Sequence, residues 1–390
     1  MPAAPAATNA ILAAVANLFV LFVGAKLGEE LFRRIGQPAV VGELLGGFVV
    51  GPYALGLAAP GEVADVLAEL GVVILLFTVG LEVRVDDLLA VGRPAVATAV
   101  IAMILPILAG TAAMVLLEPA LPQALFVGLA LAATSIGITS RVLADARVLD
   151  RQFSRVIIGA AVVDDVLALI AIGLVSALSR ADFSASTVLV AVSAVGLLAL
   201  GFAIARRARG LGREVFTWPL FADTPLVPTF MLMLAAALLS AQLGLAAIIG
   251  AFVAGLIVAE TEARDELEHE MRPLALIFTP FFFAVTGARV DLGVLSDPRV
   301  ALLALVLAVL GVVTKLLGAA SLGRWPAAAV GAGMVPRGEV GIVVVNLGLA
   351  LGVLGNAVFG ALLVAVVLTT LAAPLLLAFA IPRATASGAN

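Results

Sequence analysis

Two acids stand side by side in an apolar run, Asp164 and Asp165 in AAVVDDVLALI (160–170). Four more charges share that isolation: Lys315 in VLGVVTKLLGAA, Arg337 and Glu339 in GAGMVPRGEVG (331–341), and Glu43 in PAVVGELLGGFVVG. A charged group in the middle of a bilayer costs ~3 kcal/mol by insertion scales, so each one calls for a functional reason. Carboxylates hold protons or cations, and an ammonium beside them supplies a balancing charge. Neighbours on a helix point ~100° apart, so the two acids do not meet one ligand alike. Either one pairs with Lys315 while the other faces a water-filled cavity, or the trio is a buried salt bridge that only ties helices together. Three charges leave one carboxylate unpaired, which favours the first.

The composition makes these runs membrane spans. Of 390 residues, 63% are hydrophobic and 12% charged, with a mean hydropathy of +1.23, which marks a polytopic membrane protein. About 20 apolar residues cross a ~30 Å hydrocarbon layer as a helix. Runs such as AVATAVIAMILPILAGTAAMVLL (95–117) are continuously apolar rather than alternating, so the spans are helices and not barrel strands. The start, MPAAPAATNA, lacks a basic n-region, so no cleaved signal peptide is expected. Cysteine is absent, which excludes disulfide and thiol chemistry, and a net charge of −4 points to no nucleic-acid partner.

Gly, Pro and charged breaks delimit thirteen candidate spans: 9–31, 38–58, 63–82, 94–117, 121–145, 152–178, 186–205, 225–241, 244–260, 271–288, 299–321, 326–350 and 355–380. With the N-terminus outside, seventeen Lys and Arg fall on the inner side and three, Arg180, Arg289 and Arg299, on the outer. That bias predicts an outside N-terminus and a cytoplasmic C-terminus. Asp164 lies nine residues beyond the inner flank Arg155, ~14 Å deep, and Lys315 lies nine residues from the inner flank Arg324. Both reach mid-membrane.

The second span, PAVVGELLGGFVVG, and the ninth, AAIIGAFVAGLIVA, align at a shift of 208, with Gly42 on Gly250 and Gly47 on Gly255. The third and tenth, FTVGLEVRVDDL and FAVTGARVDLGVL, align at nearly the same shift. Copies seven spans apart enter the membrane in opposite senses, so the repeat is inverted: six spans, a linker helix, six spans. Inverted repeats mark secondary transporters, with sites near the midplane.

The fifth span contains ATSIGITSRV and the twelfth GAGMVPRGEVG, both breaking a helix at mid-depth. Residues before Pro336 are pushed out of helical geometry. Two discontinuous helices would aim backbone carbonyls and half-helix dipoles at the centre. A proline kink with small residues for close packing is the plainer reading. Arg337 and Glu339 either neutralise the crossing as a pair or touch the ion. Glu43 lines a funnel or is an interface glutamate, and His269, the single histidine, is a solvated loop residue or a modest pH sensor.

Five stretches, GQPAVVGELLGGFVVGP (36–52), ELGVVILLFTVGLE (69–82), ATSIGITSRVL (133–143), GAAVVDDVLALI (159–170) and MVPRGEVGIVV (334–344) with Lys315, resemble the monovalent cation:proton antiporter-2 family. Within it the likeness is to bacterial sodium/proton antiporters of the NapA kind, along essentially the whole chain. The resemblance implies a homodimer in the cell inner membrane, a transporter rather than an enzyme, with Na+ and H+ as substrates and no cofactor. It implies a dimerisation domain in two parts (9–92 and 214–297), a core ion-transport domain in two parts (93–180 and 298–381), a linker helix (181–213), and an elevator-like movement of the core. Position by position, Asp165 would bind the ion and the proton alternately and Asp164 would pair with Lys315. Thr134 and Ser135 would flank the ion at the unwound crossing. An Asp-Asp pair resembles the electrogenic branch, and the short C-terminus favours sodium over the potassium-efflux relatives.

Competition then follows from charge. Burial and mutual attraction act oppositely on two acids and a lysine, so the trio titrates as a unit. Sodium breaking the Asp164–Lys315 pair frees a second proton, giving two H+ per Na+. One proton across one pH unit supplies ~1.4 kcal/mol; two protons with a net charge across 100 mV supply about 5 kcal/mol. The alternatives are a K+/H+ antiporter on the same scaffold, or a sodium-coupled symporter of organic anions, which would need a basic pocket.

Overall fold

The computed structural model describes residues 4–83, 92–117, 120–135, 138–139, 142–143, 146–148, 151–178, 185–212, 225–320 and 327–386. All regular structure among them is helical. In chain order the helices are α1 (Ala4–Arg34), α2 (Ala39–Val50), α3 (Glu62–Glu82), α4 (Arg93–Leu117), α5 (Leu121–Ala132), α6 (Gln152–Leu178) and α7 (Ala185–Ala208). They continue with α8 (Leu226–Gln242), α9 (Ala247–Ala259), α10 (Arg264–Ala288), α11 (Pro298–Ala320), α12 (Ala327–Gly333), α13 (Glu339–Ala350) and α14 (Asn356–Ala386). Seven of them are long and apolar enough to cross a membrane, and five shorter ones are apolar. In lipid each must satisfy its own backbone, which is why an apolar chain of this kind resolves into helices. Arg84, Arg141, Arg180, Arg213 and Arg324, five of the basic flanks used to orient the spans, lie outside the described residues.

Three spans differ from the sequence reading for reasons visible in the structure. The second span stops at Val50, because Gly51 and Pro52 open a turn in which the amides of Leu57 and Ala58 fold back onto the Val50 carbonyl. The tenth starts seven residues early, at Arg264, so His269 sits on a helix and is exposed rather than in a loop. Acids in its first turn, Asp265 and Glu266, suit the helix N-terminus, and Leu267 and Met271, one turn apart, bury the inner face. The twelfth is two helices, α12 and α13, with residues 334–338 unwound between them.

The chain forms two compact units. One comprises Met1–Glu82, Gly201–Gln242 and Ala246–Leu292; the other comprises Val83–Leu200, Leu243–Leu245 and Gly293–Asn390. The chain passes from the second to the first within α7, between Leu200 and Gly201.

In the first unit, glycines let backbones touch. A β-carbon at Gly42 would collide with the Gly28 carbonyl, and one at Gly250 with the Ala236 carbonyl; 28 to 236 and 42 to 250 are both shifts of 208. Gly80 packs on Phe252 and Leu256 of α9 as Gly287 packs on Leu44 and Phe48 of α2. Gly47 meets Ala284 as Gly255 meets Phe77. So α2 packs on α10 as α9 packs on α3, with partners exchanged between the halves. Gly71 packs on the Phe278 carbonyl, and the register of 207 that relates Gly80 to Gly287 also relates 71 to 278. Gly71 therefore meets the residue that the same register pairs with it.

The second unit is built on α4, α6, α11, α12 and α14 around a core that includes Ala99, Phe153, Ile157, Val330 and Leu377. Gly333 lies against Ile157 and Gly331 against Leu316, which seats α12 beside α6 and α11. That seating brings the end of α12 to the acids of α6 and the lysine of α11.

Candidate ion site at a helix crossing

Every charged residue expected at mid-membrane, apart from Glu43, belongs to the second unit. Its scaffold is a pair of interrupted helices. α5 ends at Ala132 and gives way to extended residues 133–135, while α12 ends at Gly333 and gives way to 334–338. Pro336 lacks an amide hydrogen, and a β-carbon at Gly338 would overlap the Ser135 side chain, so the sequence both breaks the second helix and leaves room for the first to pass.

The two unwound segments are stitched together. The Ser135 amide donates to the Pro336 carbonyl at 2.9 Å. Thr134 Oγ1 donates to the Met334 carbonyl at 3.3 Å, and Thr139 Oγ1 donates to the Gly333 carbonyl at 2.7 Å. These bonds take up carbonyls that a helix end leaves without intrahelical partners.

Two buried cations serve the same ends. Lys315, fully buried on α11, donates from Nζ to the Ala132 carbonyl at 2.6 Å and to Thr134 Oγ1 at 2.9 Å. Arg337 donates from Nη1 to the carbonyls of Ala133 (2.9 Å) and Met334 (3.3 Å), and from Nη2 to the Gly311 carbonyl (3.2 Å). Thr370 on α14 donates to the Arg337 carbonyl. Cations at helix C-termini are stabilised by the partial negative charge there, the more so away from water. Arg337 therefore clamps both broken helices at once.

The acids stand beside this arrangement. Asp164 is fully buried, and neither carboxylate oxygen has a hydrogen-bond donor among the described residues. Its nearest cation is Lys315 Nζ, 3.8 Å from Oδ2, a charge contact without a hydrogen bond. Asp165 is 4% exposed and Ser135 2%. Asp164, Thr134, Lys315 and Arg337 are thus gathered within one linked cluster. Glu339 opens α13, and its side chain lies outside those described. Glu43 lies on α2 in the other unit and His269 on α10, so neither joins the cluster.

Sequence reasoning missed the partners of Lys315 and Arg337 because most are backbone carbonyls, which have no side-chain signature. It also missed Thr139 and Thr370. The signals were present: a third hydroxyl in ATSIGITS, and the Thr369–Thr370 pair in the apolar run of α14.

Chemically, the cluster holds Asp164 and two cations in a space where a carboxylate without a hydrogen-bond donor is costly. A proton or a desolvated monovalent cation would relieve that cost at Asp164, in competition with the Lys315 charge.

The chain is 36% identical over 406 residues, covering 92% of this chain and 87% of the other, to the high-affinity Na+/H+ antiporter NhaS3 of Synechocystis sp.. It is 31% identical, over 93% of this chain and 95% of the other, to the Na+/H+-K+ antiporter GerN of Bacillus cereus. Among solved structures, the sodium proton antiporter MjNhaP1 of Methanocaldococcus jannaschii shares its fold, with a TM-score of 0.69 over 97% of both chains at 16% identity. A family model described as sodium/hydrogen exchanger, transmembrane, matches residues 18–381. With that match running through both interrupted helices and both acids, the chain belongs to the sodium/hydrogen exchanger family of transmembrane proteins.

Proposed function

We propose that this protein exchanges Na+ for H+ across a membrane, with the two ions competing for Asp164 and Asp165. The observation that carries the proposal is a fully buried Asp164 with no hydrogen-bond donor among the described residues, beside a Lys315 whose own bonds go to Ala132 and Thr134. An acid so placed is held either by a proton or by a cation, because a bare buried charge is too costly to persist. Asp165 is the principal ion ligand, with Thr134 and Ser135 beside it, and Lys315 is the alternating partner of Asp164. When sodium arrives, Lys315 loses its counter-charge and sheds a proton as well, which makes the cycle electrogenic at two H+ per Na+.

The second unit is the transport core, and the first is the dimerisation domain of a homodimer that stays fixed while the core moves. The exchange of contacts between α2–α10 and α9–α3 supports an internal repeat, and the odd number of spans between copies supports its inversion. The chain lies in the cell inner membrane with its N-terminus outside and its C-terminus in the cytoplasm. A K+/H+ exchanger is the second reading, favoured by the likeness to GerN, whose name carries potassium as well as sodium.

Reconstituted in liposomes loaded with a pH dye, the protein should dissipate an imposed proton gradient when Na+ is added outside, and less or not at all with K+. Dequenching by K+ but not Na+ supports the second reading, and no dequenching by Na+, Li+ or K+ overturns both.

A further inference from the structure

Two neighbouring buried carboxylates, Glu29 and Glu43, take no part in the crossing. In the first unit, Gly28 of α1 lies backbone to backbone against Gly42 of α2, and each glycine is followed by one of these glutamates. The close approach that the glycines permit brings both acids to one lysine, Lys26. Their side chains are only 10% and 8% exposed.

The cations nearby are not shared evenly. Lys26 Nζ donates to Glu29 Oε2 at 2.7 Å, and Arg33 donates to Glu29 Oε1. Both oxygens of Glu29 are thereby taken. Lys26 Nζ is 3.8 Å from Glu43 Oε1, beyond hydrogen-bond length. Glu30 and Arg34 pair with each other on the exposed side of α1. The α10 stretch that packs on α2, Phe281 to Ala288, contains no titratable group, and the charges that act on Glu43 among the described residues are Lys26, Glu29 and Arg33. Glu29 and Glu43 thus flank one ammonium, at 2.7 and 3.8 Å. Two buried acids around a single cation are relieved of their mutual repulsion when one of them carries a proton.

From this geometry we infer that Glu29 and Glu43 form a second proton-binding site, separate from the helix crossing, in which Glu43, the acid without a cation at hydrogen-bond length, holds the proton. Lys26, whose side chain is 29% exposed, links the pair to water. The proton here is not exchanged for sodium, since both cations at the site are committed to Glu29 and no vacancy of charge moves through it. Its loss places an uncompensated charge between α1 and α2. The site therefore sets the pH range over which the first unit keeps its α1–α2 contact, and so tunes exchange without performing it. The transport readout below rests on the Na+/H+ exchange proposed above; the infrared readout does not.

The test uses the full chain in lipid nanodiscs, followed by infrared difference spectroscopy through pH steps. Wild type should show a carboxylic-acid carbonyl band that persists through neutral pH and disappears on alkalinisation. Glu43→Gln should remove that band, and Lys26→Gln, which takes away the neighbouring positive charge, should hold it to a pH higher by about one unit. In liposomes, Glu43→Gln mimics the protonated state at every pH, so the pH of half-maximal Na+ exchange should shift by about one unit while the maximal rate stays within about twofold. An unchanged band in Glu43→Gln, or a band that Lys26→Gln leaves in place, overturns the inference even if transport is absent. A changed band with an unshifted transport profile overturns the tuning role.

Discussion

Lys315 and Thr134 share a hydrogen bond of 2.9 Å at the point where the two broken helices cross. The Thr134 hydroxyl gives its one proton to the Met334 carbonyl, so its lone pair is turned to the ammonium. The lysine is thus held by the crossing itself, through Thr134 and the Ala132 carbonyl, and only by longer-range attraction by Asp164. Replacing Thr134 with Val removes an acceptor from a buried cation, which is worth about 2 kcal/mol. Thr134→Val should lower Na+ turnover in liposomes by about tenfold or more, and Thr134→Ser should restore most of it. Equal rates for Val and Ser would mean the hydroxyl is idle.

In the proposed two-proton cycle, Lys315 would also carry the voltage coupling. Lys315→Ala removes the second titrating charge, so exchange should lose its response to an imposed membrane potential before it loses sodium transport. The variant also leaves Asp164 with no cation within 4 Å among the described residues, and its melting temperature should fall, since breaking a buried charge contact costs about 3–5 kcal/mol. Potential-driven fluorescence quenching and a thermal melt read the two effects separately.

Asp165→Ala and Asp165→Asn should both abolish Na+-dependent proton release from liposomes while the protein still purifies folded. Asp164→Asn keeps shape and hydrogen-bond capacity but removes the counter-charge of Lys315. It should leave binding weak and potential-insensitive. Isothermal titration with Na+ separates loss of binding from loss of movement.

Arg337 is a clamp. Arg337→Leu takes the described donor from the Ala133 carbonyl, at about 1–3 kcal/mol when buried, and one donor each from the carbonyls of Met334, which keeps Thr134, and of Gly311. The melt should drop markedly, and Arg337→Lys, which reaches fewer acceptors, should recover only part. If Arg337→Leu melts like wild type, the clamp is not structural.

Competition fixes the sign of the pH dependence. Protons and Na+ contest the same carboxylates, so the Na+ concentration for half-maximal exchange should rise as pH falls, by up to about tenfold per unit for each proton displaced. A half-saturating concentration independent of pH would separate the two ions.

Much of the site was legible because lipid makes a charge conspicuous: Asp164, Asp165, Lys315 and Arg337 stood out against apolar neighbours before any helix was placed. The breaks were legible from Pro336 and from the Gly, Ser and Thr of ATSIGITS. An internal repeat was expected from paired glycines, and the contacts of Gly250, Gly47 and Gly71 with Ala236, Ala284 and Phe278 recur at the shifts it would require. The rest was hidden for physical reasons. Backbone carbonyls hold Lys315 and Arg337, and any residue supplies a carbonyl, so sequence carries no mark of them. The start of α10 was read as a loop because its first turns are acidic; the acids are favourable at a helix N-terminus, and Leu267 and Met271 are the buried face that gives the helix away. The meeting of Glu29 and Glu43 at Lys26 was hidden because it is set by Gly28 lying against Gly42 across two helices.

The central claim is that sodium displaces protons from the buried acids, and counting those protons tests it most directly. Na+ binding to the purified protein, measured by calorimetry in buffers of different ionisation enthalpy below neutral pH, should release protons, approaching two per Na+ in wild type and falling by one in Lys315→Ala. Sodium that binds with the same heat in every buffer, releasing no proton, would contradict the account.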